Sequence, residues 1–408
     1  MSELTINEQS IKNELKPYKE KPYKCLFEYV WNSFDAGARK VEINFSLPKE
    51  GLGYVRDVEI IDDGKGWDFT NKLNTETFLS SSKSEINSNK KTLPKGKFGR
   101  GRYAFIWIAK KIEIFSHNKK IILNHSTKID DQYSSKHVNG TRISFCAISS
   151  LLSESLLFNK KLYENLLLEF GWFLAGNDNY NIIVNGINID ISEIIKEEKT
   201  FNKDFFNKEI KDQLDDFFNV KIISWLKKPS EYSKFYFLDK DAIEIYKDNT
   251  GLNKKGDNFW HSVYIKSSIF INSNPIDDKS GQLDIFSDKR INRLRKQIVN
   301  QILKELSLIR KPYLVQQSEN LLADLKGDHV IPDLKEFGIY DEESYGDLIK
   351  TIYTITPSLF TQKSLPEKKF ICSTFAGLLS TQDDILIKTI LEQLQELTDE
   401  EKKNYMIS

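Results

Sequence analysis

Three stretches of this 408-residue chain carry side chains whose type and spacing could do chemistry. Glu28, Asn32 and Asp35 stand at i, i+4 and i+7, so a helix through them presents all three on one stripe. Taken alone, such a stripe is more often a solvated helix face than a site. Asp62-Asp63-Gly64-Lys65-Gly66 follows directly on an apolar run. Alone it reads as a turn, with aspartates bonding their own backbone and glycines supplying positive φ. A calcium loop is excluded, because the further oxygen ligands and the terminal Glu are missing. The chemistry it could do is recognition, one carboxylate accepting the exocyclic amine of adenine while the glycines let the base approach the backbone. Gly96-Lys97-Phe98-Gly99-Arg100-Gly101 is a glycine-rich loop opening into an apolar stretch. Such a loop brings backbone N–H groups close to phosphate oxygens, and a following helix N-terminus adds a favourable field. It is no Walker loop, since no Lys-Ser/Thr follows at the required place. Nor is it the dinucleotide fingerprint, which follows the first strand rather than a long polar stretch.

These groups need elements to hold them. Phe27, Val30, Trp31 and Phe34 recur at helical intervals and predict a helix over 21–38, its apolar stripe suited to packing on a sheet. Val41, Ile43, Phe45 and Leu47 alternate with polar residues as in a strand, and a second strand is expected at 55–61, antiparallel to the first. Residues 68–95 are rich in Ser, Asn, Thr and Lys, the composition of a lid or loop. An apolar helix is expected at 102–109, then strands at 112–115, 121–124 and 141–146 and a helix at 156–174. Asn185-Gly186 between apolar runs signals a hairpin. Beyond it we expect a helix at 208–218, strands at 222–226, 235–238, 243–246 and 263–271, and helices at 288–309 and 383–397.

The order and spacing of the motifs carry more weight than any one of them. Glu28 to Ala36, Asp62 to Gly66 and Gly96 to Gly101 resemble the three ATP-site motifs of the GHKL superfamily, which unites gyrase, heat-shock chaperones, histidine kinases and MutL. Gly96 to Tyr103 is similar to the chaperone version of the loop, and Gly140-Thr141 opening a strand matches a fourth element. The resemblance implies an α/β two-layer sandwich of the Bergerat ATP-binding type over 1–195. A smaller α+β transducer-like domain would follow over 196–312, and a mostly helical region over 313–408. It implies Glu28 as the catalytic base, Asn32 as the Mg²⁺ ligand, and Asp35 and Ala36 lining the pocket. Asp62 would hold adenine, because the glycines must fall at Gly64 and Gly66, leaving Asp63 as a local turn acceptor. Thr141 would stand on the adenine side. Residues 68–95 would be the lid, with Gly96, Lys97, Phe98, Gly99, Arg100 and Gly101 along the phosphates. Phe270 to Pro275 is similar to the strand–turn–helix of MutL-like transducers, with Lys279, Lys289 and Arg290 as candidate γ-phosphate sensors, each more often an ordinary surface charge.

The expected function is therefore a Mg²⁺-dependent ATPase clamp that dimerises on ATP and acts in DNA repair or defence against foreign DNA, with a separate effector subunit as a further partner. The alternatives are a non-hydrolysing sensor or scaffold and a chaperone-like ATPase. A histidine kinase is disfavoured, since no His precedes Glu28. With 59 basic and 59 acidic residues, the charge does not favour a surface made wholly for polyanions. Three widely spaced cysteines read as small buried hydrophobes in a reducing compartment, and no run approaches the about 18 apolar residues of a membrane span. The protein is expected to be cytoplasmic.

Overall fold

A computed structural model describes residues 16–46, 55, 57–67, 101–125, 129–157, 159–252, 256–270 and 289–407. The expected lid, the loop positions Gly96 to Arg100, Asn272 to Pro275 and Lys279 lie outside the described residues, as does the side chain of Lys289. The chain divides into two compact units. One comprises Met1–Ile195, Leu238–Tyr246 and Phe270–Ile285, the other Lys196–Phe237, Lys247–Ile269 and Phe286–Ser408.

In the first unit a short helix, α1 (Pro17–Glu20), precedes α2 (Tyr23–Asp35). Gly37 ends α2 in the left-handed conformation at φ +81°, which glycine adopts without a Cβ clash. Strands β1 (Lys40–Phe45) and β2 (Val58–Asp62) follow. After the 3-10 helix Gly101–Trp107 come β3 (Ala109–Asn124), β4 (Ile129–Ile148), helices α3 (Ser150–Leu157) and α4 (Asn159–Leu174), and the hairpin β5 (Asn181–Val184) and β6 (Ile187–Asn188). Asn185 and Gly186, at φ +49° and +82°, form the expected turn.

These strands form one six-stranded sheet in the order β3-β4-β2-β1-β5-β6. As expected, β1 and β2 are antiparallel, whereas β1 and β5 run parallel. Period-2 alternation fixes which face is covered. Val41, Ile43 and Phe45 on β1, Val58, Ile60 and Asp62 on β2, and Thr141, Ile143 and Phe145 on β4 are all buried. The register sets Asp62 beside both Val41 and Thr141 on that face. The other face carries Arg142, whose guanidinium grips Glu59 at 2.6 Å and 2.8 Å.

The apolar stripe of α2 packs otherwise than expected. Phe27, Trp31 and Phe34 meet Phe170 of α4 with ring centroids at 5.6 Å, 4.6 Å and 6.2 Å, so their partner is a helix, not the sheet. Tyr29 makes the sheet contact, against Phe145 at 5.2 Å. Three further expectations change. Residues 101–107 form a 3-10 helix and Ala109 already belongs to β3, so no α-helix spans 102–109. The strands expected at 112–115 and 121–124 are one strand, with register shifts about His117. The single helix expected at 156–174 is two, α3 and α4.

The second stretch of chain contributes β7 (Ile195–Asn202), α5 (Lys208–Lys211), β8 (Asn219–Trp225), β9 (Lys234–Leu238), β10 (Glu244–Asn249) and β11 (His261–Lys266). They form a five-stranded sheet ordered β10-β9-β11-β8-β7. The helix expected over 208–218 stops after one turn. Helix α6 runs Lys289–Gly327, so the expected division at 312–313 falls inside a continuous element. Pro312 removes one N–H from it, but buried Leu306, Ile309 and Leu314 hold the helix on both sides. Helices α7 (Glu342–Ile355), α8 (Leu365–Ser380) and α9 (Asp384–Ile407) complete the chain. Their core gathers Tyr345, Ile349, Ile352, Phe360 and Cys372 with Leu314 and Leu325 of α6. Among the described residues no helix is long and apolar enough to cross a membrane.

Candidate functional site

Helix α2 is the element on which the separate motifs meet. Its stripe Glu28, Asn32 and Asp35 is half-buried. Glu28 accepts a hydrogen bond from the Tyr18 hydroxyl at 2.7 Å on Oε1. Its other oxygen faces Gly101, the last glycine of the 96–101 loop: a Cβ built there would stand 2.6 Å from Oε2. The first and third motifs therefore touch directly, and only a residue without a side chain fits between them.

The second motif reaches the same helix one turn further along. Asp62 is 6% exposed. Its Oδ1 accepts from the backbone N–H of Gly64 at 2.9 Å and of Thr141 at 3.1 Å. Its Oδ2 lies 2.8 Å from Ser33 Oγ, and Ser33 Oγ lies 3.0 Å from Tyr29 O within α2. Burial pushes the Asp62 carboxyl above its ordinary value, against the lowering pull of the bonds from Gly64, Ser33 and Thr141. Gly64 packs against the end of α2, where a Cβ would be 3.2 Å from Ala36 O, and Lys65 N–H donates to that same carbonyl at 3.1 Å.

Two glycines at φ above zero close the turn. At Gly66 a Cβ would lie 2.3 Å from Ser116 Oγ, and at Gly140 it would lie 2.0 Å from Asp62 O. Ser116 ties them together, donating to Gly140 O at 2.7 Å and accepting from Trp67 N–H at 2.9 Å. A cavity of about 490 Å³ opens beside this turn, with Asp62, Gly64, His117 and Gly140 in its wall. Asp63 lines the same cavity, and its Oδ1 accepts from Arg39 N–H at 2.7 Å and Lys40 N–H at 2.9 Å, which braces the connection from α2 to β1.

Asp62, Gly64, Gly66 and Thr141 thus gather at the C-terminal end of α2 near Ala36, while Glu28 meets Gly101 further back on the same helix; Asn32 and Asp35 lie between them along the stripe. Gly96, Lys97, Phe98, Gly99 and Arg100 lie outside the described residues. Arg290 is exposed in the first turn of α6. Sequence reasoning missed Tyr18, Ser33 and Ser116, whose hydroxyls support these groups. Ser33 was the most accessible of them, since it lies inside the Glu28 to Ala36 stretch.

Residues 20–154 match the family model for histidine kinase-, DNA gyrase B- and HSP90-like ATPases. No curated protein matches the chain. Among solved structures, it is similar to the ATPase region of Saccharomyces cerevisiae topoisomerase II, at 11% identity and a TM-score of 0.33, covering 60% of this chain and 72% of that one. It is also similar to the N-terminal domain of a DNA repair protein, at 14% identity and a TM-score of 0.36, covering 70% of this chain and 94% of that one. Residues 20–154 are thus similar to histidine kinase-, DNA gyrase B- and HSP90-like ATPases, and the six-stranded sheet with its helices has the fold of the Bergerat type.

Proposed function

We propose that this protein binds ATP with Mg²⁺ at the α2 site and hydrolyses it, using the nucleotide cycle as a conformational clamp. The observation that carries this reading is the convergence of Glu28, buried Asp62 and the side-chain-free positions Gly64 and Gly101 on one helix. Those features suit the nucleotide. Asp62 is a buried acceptor held in place by Gly64, Ser33 and Thr141, and in this reading it takes the exocyclic amine of adenine. Gly64, Gly66 and Gly140 let the turn pack tightly around it, and Thr141 fixes the carboxylate through its backbone N–H. Asn32 would supply a side-chain oxygen to Mg²⁺. Asp35 and Ala36 line the pocket on the same helix.

ATP brings the phosphoanhydride bond, and Mg²⁺ neutralises charge on its phosphates when both are bound. Glu28 then orients the attacking water and takes its proton, a contribution of about 10²–10⁴ in rate. Gly101 would lie along the phosphates in this reading, with Lys97 and Gly99 assigned there by the resemblance alone. Nucleotide binding would promote pairing of two copies. A role in DNA repair or in defence against foreign DNA is the setting we propose for such a clamp. Phosphate release by purified protein that requires Mg²⁺ and stops with EDTA supports hydrolysis, and its absence from nucleotide-loaded protein refutes it. Light scattering with a non-hydrolysable ATP analogue tests dimerisation. Retention of DNA that needs both the analogue and low salt tests the setting.

A further inference from the structure

The bond from Tyr18 to Glu28 ties the carboxylate to a part of the chain that none of the motifs contains. Tyr18 sits on α1, ten positions before Glu28. Its neighbour Lys19 stands over the Trp107 ring at 5.8 Å, which seats α1 on the 3-10 helix that starts at Gly101. The two oxygens of Glu28 are therefore bounded by groups that share a support: the Tyr18 hydroxyl at Oε1 and the bare backbone of Gly101 at Oε2. Tyr18 and Glu28 also line one cavity of about 630 Å³ together with Lys24 and Trp31, so the bond lies at the edge of an accessible space.

A glutamate on a helix loses rotamer freedom to be held in one place, and a hydrogen bond at its tip offsets that cost. For a general base the placement is decisive, because a misplacement of about 1 Å costs about 10²-fold in rate. We propose that Tyr18 is a positioning residue for Glu28, holding its carboxylate toward the attacking water. This rests on the reading of Glu28 as the base. Through this bond the loss of Tyr18 is expected to lower turnover while leaving nucleotide affinity near that of wild type.

The test uses the full chain as wild type, Tyr18→Phe, Glu28→Gln and the double variant. Single-turnover hydrolysis is measured with Mg²⁺-ATP, and affinity by calorimetry with a non-hydrolysable analogue. Tyr18→Phe keeps the ring and is expected to lower turnover about tenfold, with normal analogue binding certifying its fold. Adding Tyr18→Phe to Glu28→Gln is expected to change the residual rate no further. Full activity in Tyr18→Phe overturns the proposal, as does equal loss of affinity and rate, or a further loss in the double variant. An inactive but nucleotide-binding wild type refutes hydrolysis itself, and the positioning role falls with it. An active wild type beside an unaltered Tyr18→Phe refutes the positioning role alone.

Discussion

Replacing Asp62 by Asn separates what this carboxylate does for the fold from what it does for the nucleotide. The amide oxygen can take over from Oδ1, accepting from Gly64 and Thr141 N–H. On the other side the new NH₂ can donate to Ser33 Oγ, and the Ser33 hydroxyl can turn fully to Tyr29 O, already 3.0 Å away. Every bond in the protein is kept, and the cost of burying a charge disappears. Stability is therefore expected to change by less than about 1 kcal/mol. The nucleotide fares differently. An amide NH₂ faces the exocyclic amine of adenine, donor against donor. The lost bond to a charged acceptor is worth about 1.5–3 kcal/mol, and the stranded donors add about 1–3 kcal/mol. Together these weaken binding at least about 60-fold. Calorimetric titration with a non-hydrolysable ATP analogue reads the affinity, and thermal melting reads the fold. An Asp62→Asn protein that melts normally and binds within about threefold of wild type refutes Asp62 as the adenine ligand.

Gly101→Ala places a Cβ 2.6 Å from Glu28 Oε2 where ordinary contact begins at 3.4 Å, so the carboxylate must move by about 0.8 Å. Turnover should fall by about 10²-fold with little change in melting temperature, read from steady-state kinetics and calorimetry. Arg310→Ala leaves Asp257, bonded at 2.5 Å and buried, without its cation, and urea unfolding should show a loss of about 3–5 kcal/mol. Burial holds His261 down at about 4, against an ordinary 6.5. The unfolded chain thus binds the proton first, and stability falls as pH drops from 6.5 toward 4, at up to about 1.4 kcal/mol per pH unit. Denaturant titrations across that window should lose this slope in His261→Asn.

The candidate motifs were easier to read in the sequence than the packing around them. Helical spacing revealed α2 and its polar stripe, because i, i+4, i+7 periodicity is local. The same periodicity marks an apolar face without naming its partner, which is why the stripe was assigned to the sheet when Phe170 of α4 receives it. Residues 101–109 show the helix-or-strand ambiguity of short apolar runs: Phe105, Ile106 and Ile108 suit either state, and the chain uses a 3-10 turn and then β3. Ser116, His117 and Asn118 imitate a loop, yet the strand continues through them across its register shifts. The 208–218 segment is apolar enough at Ile210, Leu214 and Phe218 to suggest a helix, and all three are buried without one. Tyr18, Ser33 and Ser116 were invisible for another reason. Each acts through one hydroxyl on a residue brought near by the fold, and a lone hydroxyl leaves no spacing to read.

The claim that ATP is hydrolysed here by Glu28 is tested most directly by measuring phosphate release from wild type and Glu28→Gln at saturating Mg²⁺-ATP, with bound nucleotide quantified in the same samples. The account predicts equal occupancy and a rate lower by about 10²-fold or more in Glu28→Gln. Equal rates in the two proteins, or no release from fully occupied wild type, would contradict it.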